Sequence, residues 1–278
     1  MENNNTEDKV TEIKCLDKGF VRLVDYMGDD DAIVQAARVS YGKGTKSVRE
    51  DRGLIRYLMR HRHTSPFEMV EFKFHVKLPI FVARQWIRHR MANVNEYSGR
   101  YSEMKDEFYL PAIDQIRPQS TMNRQGRGEE AIPENDAEKI ISEMRDLQEL
   151  LFAKYNSLLE KDIARELARI NLPLSNYTEW YWKIDLHNLF HFLRLRMDAH
   201  AQYEIRVYGE AINEIIKTIV PIANEAFEDY NLNGMYLSSQ EKSALLNLID
   251  KNKLTEEYLS ETGMSKREIR EFLAKIQD

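Results

Sequence analysis

Val70-Glu-Phe-Lys-Phe-His-Val-Lys-Leu78 alternates without a break. Val70, Phe72, Phe74, Val76 and Leu78 fall on one side, and Glu71, Lys73, His75 and Lys77 on the other. Successive side chains of an extended chain point to opposite faces, so the stretch predicts a half-buried strand that Pro79 ends. Helical spacing appears on both sides of it. Residues 51–62 place Leu54, Ile55, Leu58 and Met59 on one face, and Ile80 to Arg90 read as a second helix. Between the first helix and the strand, Ser65-Pro66-Phe67-Glu68 predicts a capping box, with Ser65 as N-cap and Pro66 at the first helical position.

Further out, residues 10–27 read as β-structure, and Asp29-Asp-Asp opens a helix whose N-terminus favours acids. Residues 114–137, rich in Gln, Asn, Arg, Gly and Glu, read as a mobile loop. Four helical segments are expected after it, at 136–160, 161–170, 176–200 and 200–229. From residue 235 the character changes. Ser238-x-x-Glu241 and Ser265-x-x-Glu268 predict two capped short helices, with another near Thr255–Ser260. The divisions expected are residues 1–11 as a flexible N-terminus, 12–230 as the main domain and 235–278 as a helical appendage.

The 278 residues carry a net charge of -6. That balance argues against a general nucleic-acid binder. The near-neutral 235–278 segment argues the same way, although its helix spacing faintly resembles helix-turn-helix. No apolar run approaches the roughly 20 residues needed to span a bilayer. The polar, acidic Met1–Asp8 stretch lacks the basic and apolar parts of a signal peptide, so a cytoplasmic location without membrane attachment is expected. Cys15 is the single cysteine and reads as a small structural residue, which excludes an internal disulfide and a multi-thiolate site.

Against the acidic whole stands Arg84-Gln-Trp-Ile-Arg88-His89-Arg90-Met-Ala-Asn93-Val-Asn95-Glu96-Tyr-Ser98-Gly-Arg100. Four arginines face one glutamate there, a local +3. The planar guanidinium suits phosphates and carboxylates, so the cluster predicts a site for a phosphorylated small molecule. On a helix, Arg84 and Arg88, and Gln85 and Arg88, would share a face. Gly99 permits a close backbone approach to a ligand. Arg165 and Arg169 form a second basic pair before Pro173. In Asp185-Leu-His187-Asn-Leu-Phe-His191 the two histidines share a helical face, but with no HExxH pattern and no obvious third ligand a metal is not expected. Arg196 sits in the apolar run Phe192-Leu-Arg-Leu-Arg-Met197 and should be partly buried against an anion or a carbonyl.

The motif Arg88-His89-Arg90-x-x-Asn93-x-Asn95-Glu96-x-Ser98-x-Arg100 closely resembles the signature of the flavin-dependent thymidylate synthases. One position departs: Asn93 stands where the family usually has serine. The order of flanking segments also fits, from Gly19-Phe-Val through His63-Thr-Ser65-Pro-Phe-Glu68 to Arg194-Leu-Arg196-Met-Asp-Ala-His200-Ala-Gln202. The resemblance spans residues 12–228 or so and leaves out the tail.

That resemblance implies an α+β fold, a mixed sheet packed with helices plus a helical subdomain. It implies methylation of dUMP to dTMP, with 5,10-methylenetetrahydrofolate as carbon donor and NADPH-reduced FAD as hydride source. It also implies a homotetramer whose active sites are shared between subunits. By position, Gln85, Arg88, Glu96, Tyr97, Ser98, Gly99, Arg100, Arg169 and Arg196 are the implied dUMP contacts, with Arg196 the catalytic candidate. Ser65, Arg88, His89, Arg90, Glu96, Asp185, His187 and His191 are the implied FAD contacts. In many relatives asparagine stands at the positions of Asp185 and His191. His63 and Glu68 fall in the family's active-site region.

Overall fold

The alternating stretch at 70–78 is a strand in the computed structural model, β3 (Glu71–Pro79), with Phe72, Phe74, Val76 and Leu78 fully buried. The structure describes residues 11–39, 48–121 and 126–277, so the flexible N-terminus expected at 1–11 lies almost wholly outside the described residues. The described chain forms two compact units, Met1–Asn233 and Gly234–Asp278.

In the first unit, β1 (Glu12–Cys15) and β2 (Gly19–Met27) form a hairpin, and β2 pairs with β3. A second long strand, β5 (Tyr177–Asp185), pairs with β3 over nine residues, from Glu71 opposite Asp185 to Pro79 opposite Tyr177. The short β4 (Asn93–Glu96) closes the edge, giving the order β1-β2-β3-β5-β4. The α+β class holds, and every strand pair is antiparallel where a mixed sheet was expected.

Two readings are corrected here. Residues 176–185 were expected to begin a helix and instead form a central strand, because Thr178, Trp180, Trp182 and Ile184 alternate into the core. The helix expected over Ile80–Arg90 is α3 (Ile80–Trp86) and stops short of Arg88-His89-Arg90, which lies in the turn leading to β4. The shared helical face expected for Gln85 and Arg88 therefore does not exist.

The buried sheet face is covered by α1 (Asp30–Val39), α2 (Val48–Arg60), α3, α6 (Leu186–Arg196) and α7 (Tyr203–Lys217), whose apolar residues join one core. Trp86, fully buried at the end of α3, packs on Trp180, Trp182, Phe192 and Tyr208 with ring centroids 4.8–6.0 Å away. Aromatic burial on this scale anchors the end of α3 to the core. The opposite sheet face carries Lys73, His75, Lys77, Glu179, Tyr181 and Lys183. On it His75 stacks on Tyr181 with centroids 5.0 Å apart and bonds Glu179 at 3.0 Å.

The segment expected as one helix over 200–229 breaks before Pro221 into α7 and α8 (Pro221–Phe227), as a proline lacking a donor requires. The long α4 (Glu134–Leu159) and the short α5 (Arg165–Ala168) carry a smaller cluster of Phe152, Tyr155 and Ala168. The loop expected at 114–137 ends at Glu134, and its described part is anchored by Arg127, which pairs with the buried Glu204.

The second unit holds α9 (Ser239–Leu248), α10 (Glu256–Glu261) and α11 (Lys266–Gln277). Both expected capping boxes form. Ser238 and Glu241 exchange reciprocal bonds of 3.2 and 2.8 Å, and Ser265 and Glu268 bonds of 3.4 and 2.8 Å. Leu259, Ile269 and Ile276 make its small core. No helix among the described residues is long and apolar enough to cross a membrane.

Candidate active site

The end of α3, the turn after it and the C-terminal end of α6 meet at one corner. Arg196, in the last turn of α6, is half-buried and donates from Nη2 to the Gln85 carbonyl oxygen at 3.0 Å. This is the carbonyl partner its sequence context requires. Its Nε is buried with no partner among the described residues. Burial, and then the neighbouring Arg88, hold its pKa below the ordinary arginine value, so an anion here would be welcome to both charges.

His89 follows Arg88. Its backbone N–H closes the turn onto the Trp86 carbonyl at 2.9 Å. The ring lies 5.4 Å from the ring of His191 and 5.6 Å from that of Phe192. Its Nε2 is buried without a partner among the described residues. Burial first, then His191 and Arg196, hold it below the ordinary imidazole value, so it is neutral at pH 7. His191 is pushed the same way by burial and by Arg194 and His187. Arg84, Arg88 and Arg90 form no ion pair with any described residue.

Asp185 caps α6. Its two carboxylate oxygens accept from the Asn188 backbone N–H at 2.9 Å and the Asn188 side chain at 2.7 Å. The capping box expected at Ser65 is absent. Ser65 is the first residue of a 3-10 turn (Ser65–Met69) preceded by Thr64, and no side chain caps it. Thr64, not Ser65, holds the N-cap position, so the Ser65 hydroxyl is not placed for the reciprocal bonds of a capping box. That turn packs on α6 through Phe67 and Phe190, whose centroids are 6.5 Å apart, leaving Ser65 and Glu68 exposed. His63 lies beside Tyr57 and His61, with ring centroids 5.7 and 6.2 Å away.

A second group gathers past β4. Glu96 accepts from the Thr178 hydroxyl at 2.8 Å, and the Tyr97 N–H bonds the Glu179 carbonyl at 2.8 Å, which seats the end of β4 on β5. The turn that follows is closed by Tyr101 and Ser102 N–H groups donating to the Ser98 carbonyl, both at 3.1 Å. Gly99 is buried against Arg169: a Cβ there would lie 3.2 Å from the guanidinium and 2.6 Å from Met104 Sδ. Arg169 has no ion pair among the described residues. Arg100 pairs with Glu166 at 3.0 Å, both about half exposed. An exposed pair of that kind contributes ~0–1 kcal/mol, and a phosphate can displace the carboxylate.

The structure thus joins Gln85, Arg88, His89, His191 and Arg196 in one group, and Glu96 to Arg100 with Arg169 in another. Sequence reading assigned no role to three residues beside the first group. Gln202 bonds both the Gln85 side chain and Glu204, and Glu204 is held by Arg127. Only Gln202 lay in a motif quoted above. Nothing local in sequence links Arg127 to it.

Comparison with known proteins adds a second line. The family model for "Thymidylate synthase complementing protein" matches residues 22–222. A flavin-dependent thymidylate synthase from Treponema denticola is 59% identical over 266 residues, covering 96% of this chain and 97% of that protein. One from Gluconobacter oxydans is 57% identical over 269 residues, covering 96% and 88%. Among solved structures, the UMP/dUMP methylase PolB from Streptomyces cacaoi, bound with 5-Br dUMP, is similar with a TM-score of 0.72 and 34% identity. It covers 80% of this chain and all of PolB.

Proposed function

The chain belongs to the flavin-dependent thymidylate synthase family, and on that premise we propose that its two arginine groups hold dUMP and FAD side by side for methylation of dUMP to dTMP. The observation that carries the placement is the corner where Arg88, His89 and Arg196 meet with two buried, unpaired ring or guanidinium nitrogens and no ion pair among the described residues. Buried polar atoms in folded proteins are almost always partnered, so two orphaned nitrogens beside arginines that have no ion pair among the described residues support a ligand at this corner.

The residues present fit FAD. Its pyrophosphate suits Arg88 and Arg90, and its ring heteroatoms suit His89 Nε2, with His187, His191, Asp185, Ser65 and Glu96 as further contacts. When bound, FAD supplies the hydride that turns the transferred one-carbon unit into a methyl group. Ser98, Gly99, Arg100 and Arg169 grip the dUMP phosphate, with backbone donors beside bidentate forks. Gln85, Glu96 and Tyr97 fix the sugar and base. Arg196 lies against the pyrimidine and stabilises negative charge that develops on its carbonyl when the ring double bond is attacked. No protein nucleophile is required. Cys15 is buried, and burial pushes its thiol up to about 12.

We place NADPH as reductant and 5,10-methylenetetrahydrofolate as carbon donor. We assign the active enzyme to a cytoplasmic homotetramer with sites shared between subunits. The exposed edge strand β4, next to one of the two groups, supports completion of the site by another copy. Residues 12–230 are proposed as the catalytic domain and 235–278 as a helical appendage, which lies beyond the family model's match at 22–222 although the Treponema denticola relative aligns over 96% of the chain.

The test is spectroscopic. The purified protein is yellow, its flavin bleaches under NADPH, and bleaching is faster with dUMP present. A colourless protein that cannot be reconstituted with FAD contradicts the reading, as does stoichiometric divalent metal in place of flavin.

A further inference from the structure

Glu204 is 1% exposed, near the start of α7. Its Oε1 accepts from the Tyr109 hydroxyl at 3.0 Å and from Arg127 Nη2, and its Oε2 accepts from Gln202 Nε2 at 2.8 Å. The Gln202 carbonyl oxygen accepts in turn from Gln85 Nε2, and the Gln85 backbone carbonyl holds Arg196. An unbroken line of bonds therefore runs from Arg127 to the site corner.

Burial raises the Glu204 pKa, but the donors from Arg127 and Gln202 outweigh it and keep the carboxylate ionised. Glu204 is buried while the Arg127 side chain is 32% exposed, so the pair's net contribution to stability is small and a positioning role is open to it. The direction of the bonds supplies one. An ionised carboxylate only accepts, so Gln202 must turn its amide nitrogen toward Glu204. Its oxygen is then the group that meets Gln85, which must offer nitrogen. The Gln85 oxygen is left to face a ligand donor, a hydroxyl or an N–H.

We propose that Glu204 is a positioning residue for the reaction: through Gln202 it sets the orientation of the Gln85 side-chain amide at the nucleotide site, and Arg127 holds Glu204 in place. This rests on the placement of Gln85 at dUMP proposed above. Loss of the relay frees the amide to rotate, so binding weakens while the chemistry on bound nucleotide is retained.

The test uses the FAD-loaded protein and reads dUMP affinity from the flavin spectrum. Gln202 is exposed, so Gln202→Met leaves folding intact. It should raise the Kd and KM for dUMP about tenfold while kcat at saturating dUMP stays within about twofold, the loss of one oriented hydrogen bond. Glu204→Gln and Arg127→Met should act in the same direction, and Gln202→Met should add nothing in a Gln85→Met background. If Glu204→Gln does not fold, the Gln202 and Gln85 cycle decides alone. Wild-type dUMP binding with an unchanged Gln202→Met variant, or additive losses in the cycle, overturns the relay and leaves the site reading standing. Wild-type protein that binds FAD but not dUMP overturns both.

Discussion

Arg196 and Gln85 are tied side chain to main chain: Nη2 of the arginine donates to the glutamine carbonyl at 3.0 Å, while the arginine Nε stays buried and unpaired among the described residues. One half of the guanidinium is thus used to aim the other. Arg196→Ala should lower kcat by at least ~10²-fold with FAD still bound, the scale for removing a preorganised donor at developing charge. Arg196→Lys should recover little, because a point charge cannot be held and donate in the same plane. Single-turnover oxidation of reduced flavin by dUMP and folate checks this. Undiminished tritium release from labelled dUMP in Arg196→Ala would remove the role.

Gly99 is legible as a packing requirement. An added methyl would meet Met104 Sδ at 2.6 Å and the Arg169 side chain at 3.2 Å. Both are side chains that must shift, Met104 within the small cluster of Phe152 and Tyr155, so Gly99→Ala should cost about 1 kcal/mol of stability. It should nonetheless displace Arg169 and raise the KM for dUMP about tenfold, as a misplaced phosphate contact does. Parallel melting curves and dUMP titrations separate the two effects.

Cys15 is inert. With its thiol pushed up to about 12 by burial, native protein should resist iodoacetamide at pH 8, and Cys15→Ala should retain activity. Loss of thymidylate formation in a folded Cys15→Ala variant would instead indicate thiolate catalysis.

Asp30 produces a pH dependence. It is buried at the start of α1 and accepts from the Ile222 and Ala223 N–H groups at 2.8 and 2.9 Å, at the start of α8. Burial raises its pKa to about 6 despite those bonds. The unfolded value is about 3.9, so between about pH 4 and pH 6 the folded state binds the extra proton. Its contribution to stability is therefore greatest below pH 4 and falls as pH rises through 6. Denaturant titrations from pH 4 to 7 should show this slope in the wild type, and its loss in Asp30→Asn. An equal slope in both proteins would assign the effect elsewhere.

Periodicity carried much of the fold in the sequence and failed where two periods compete. β3 was legible because its alternation is strict and Pro79 closes it. β5 was not: the consecutive aromatics Trp180, Tyr181 and Trp182 mask the alternation of Trp180, Trp182 and Ile184 into the core, and pairing with β3 shows it. The end of α3 was also invisible, since Ile87-Arg88-His89 contains no glycine or proline. Trp86, the last residue of α3, is buried among four aromatic rings that lie far from it in sequence. Of the proposed site, the basic Arg84–Arg100 cluster was readable from residue type, and the partial burial of Arg196 against a carbonyl from its apolar context. The capping box at Ser65 was a pattern match that a 3-10 turn does not honour. The line from Arg127 to Gln85 joins residues far apart in sequence, and no local signal announces it.

The most direct measurement follows [5-3H]dUMP through a single incubation with the FAD-loaded protein, NADPH and 5,10-methylenetetrahydrofolate. The account predicts tritium released to water in step with dTMP formation, both abolished when flavin is removed and restored when FAD is added back. Release and dTMP formation that persist without flavin, or an active flavoprotein that oxidises NADPH but never converts dUMP, would contradict it.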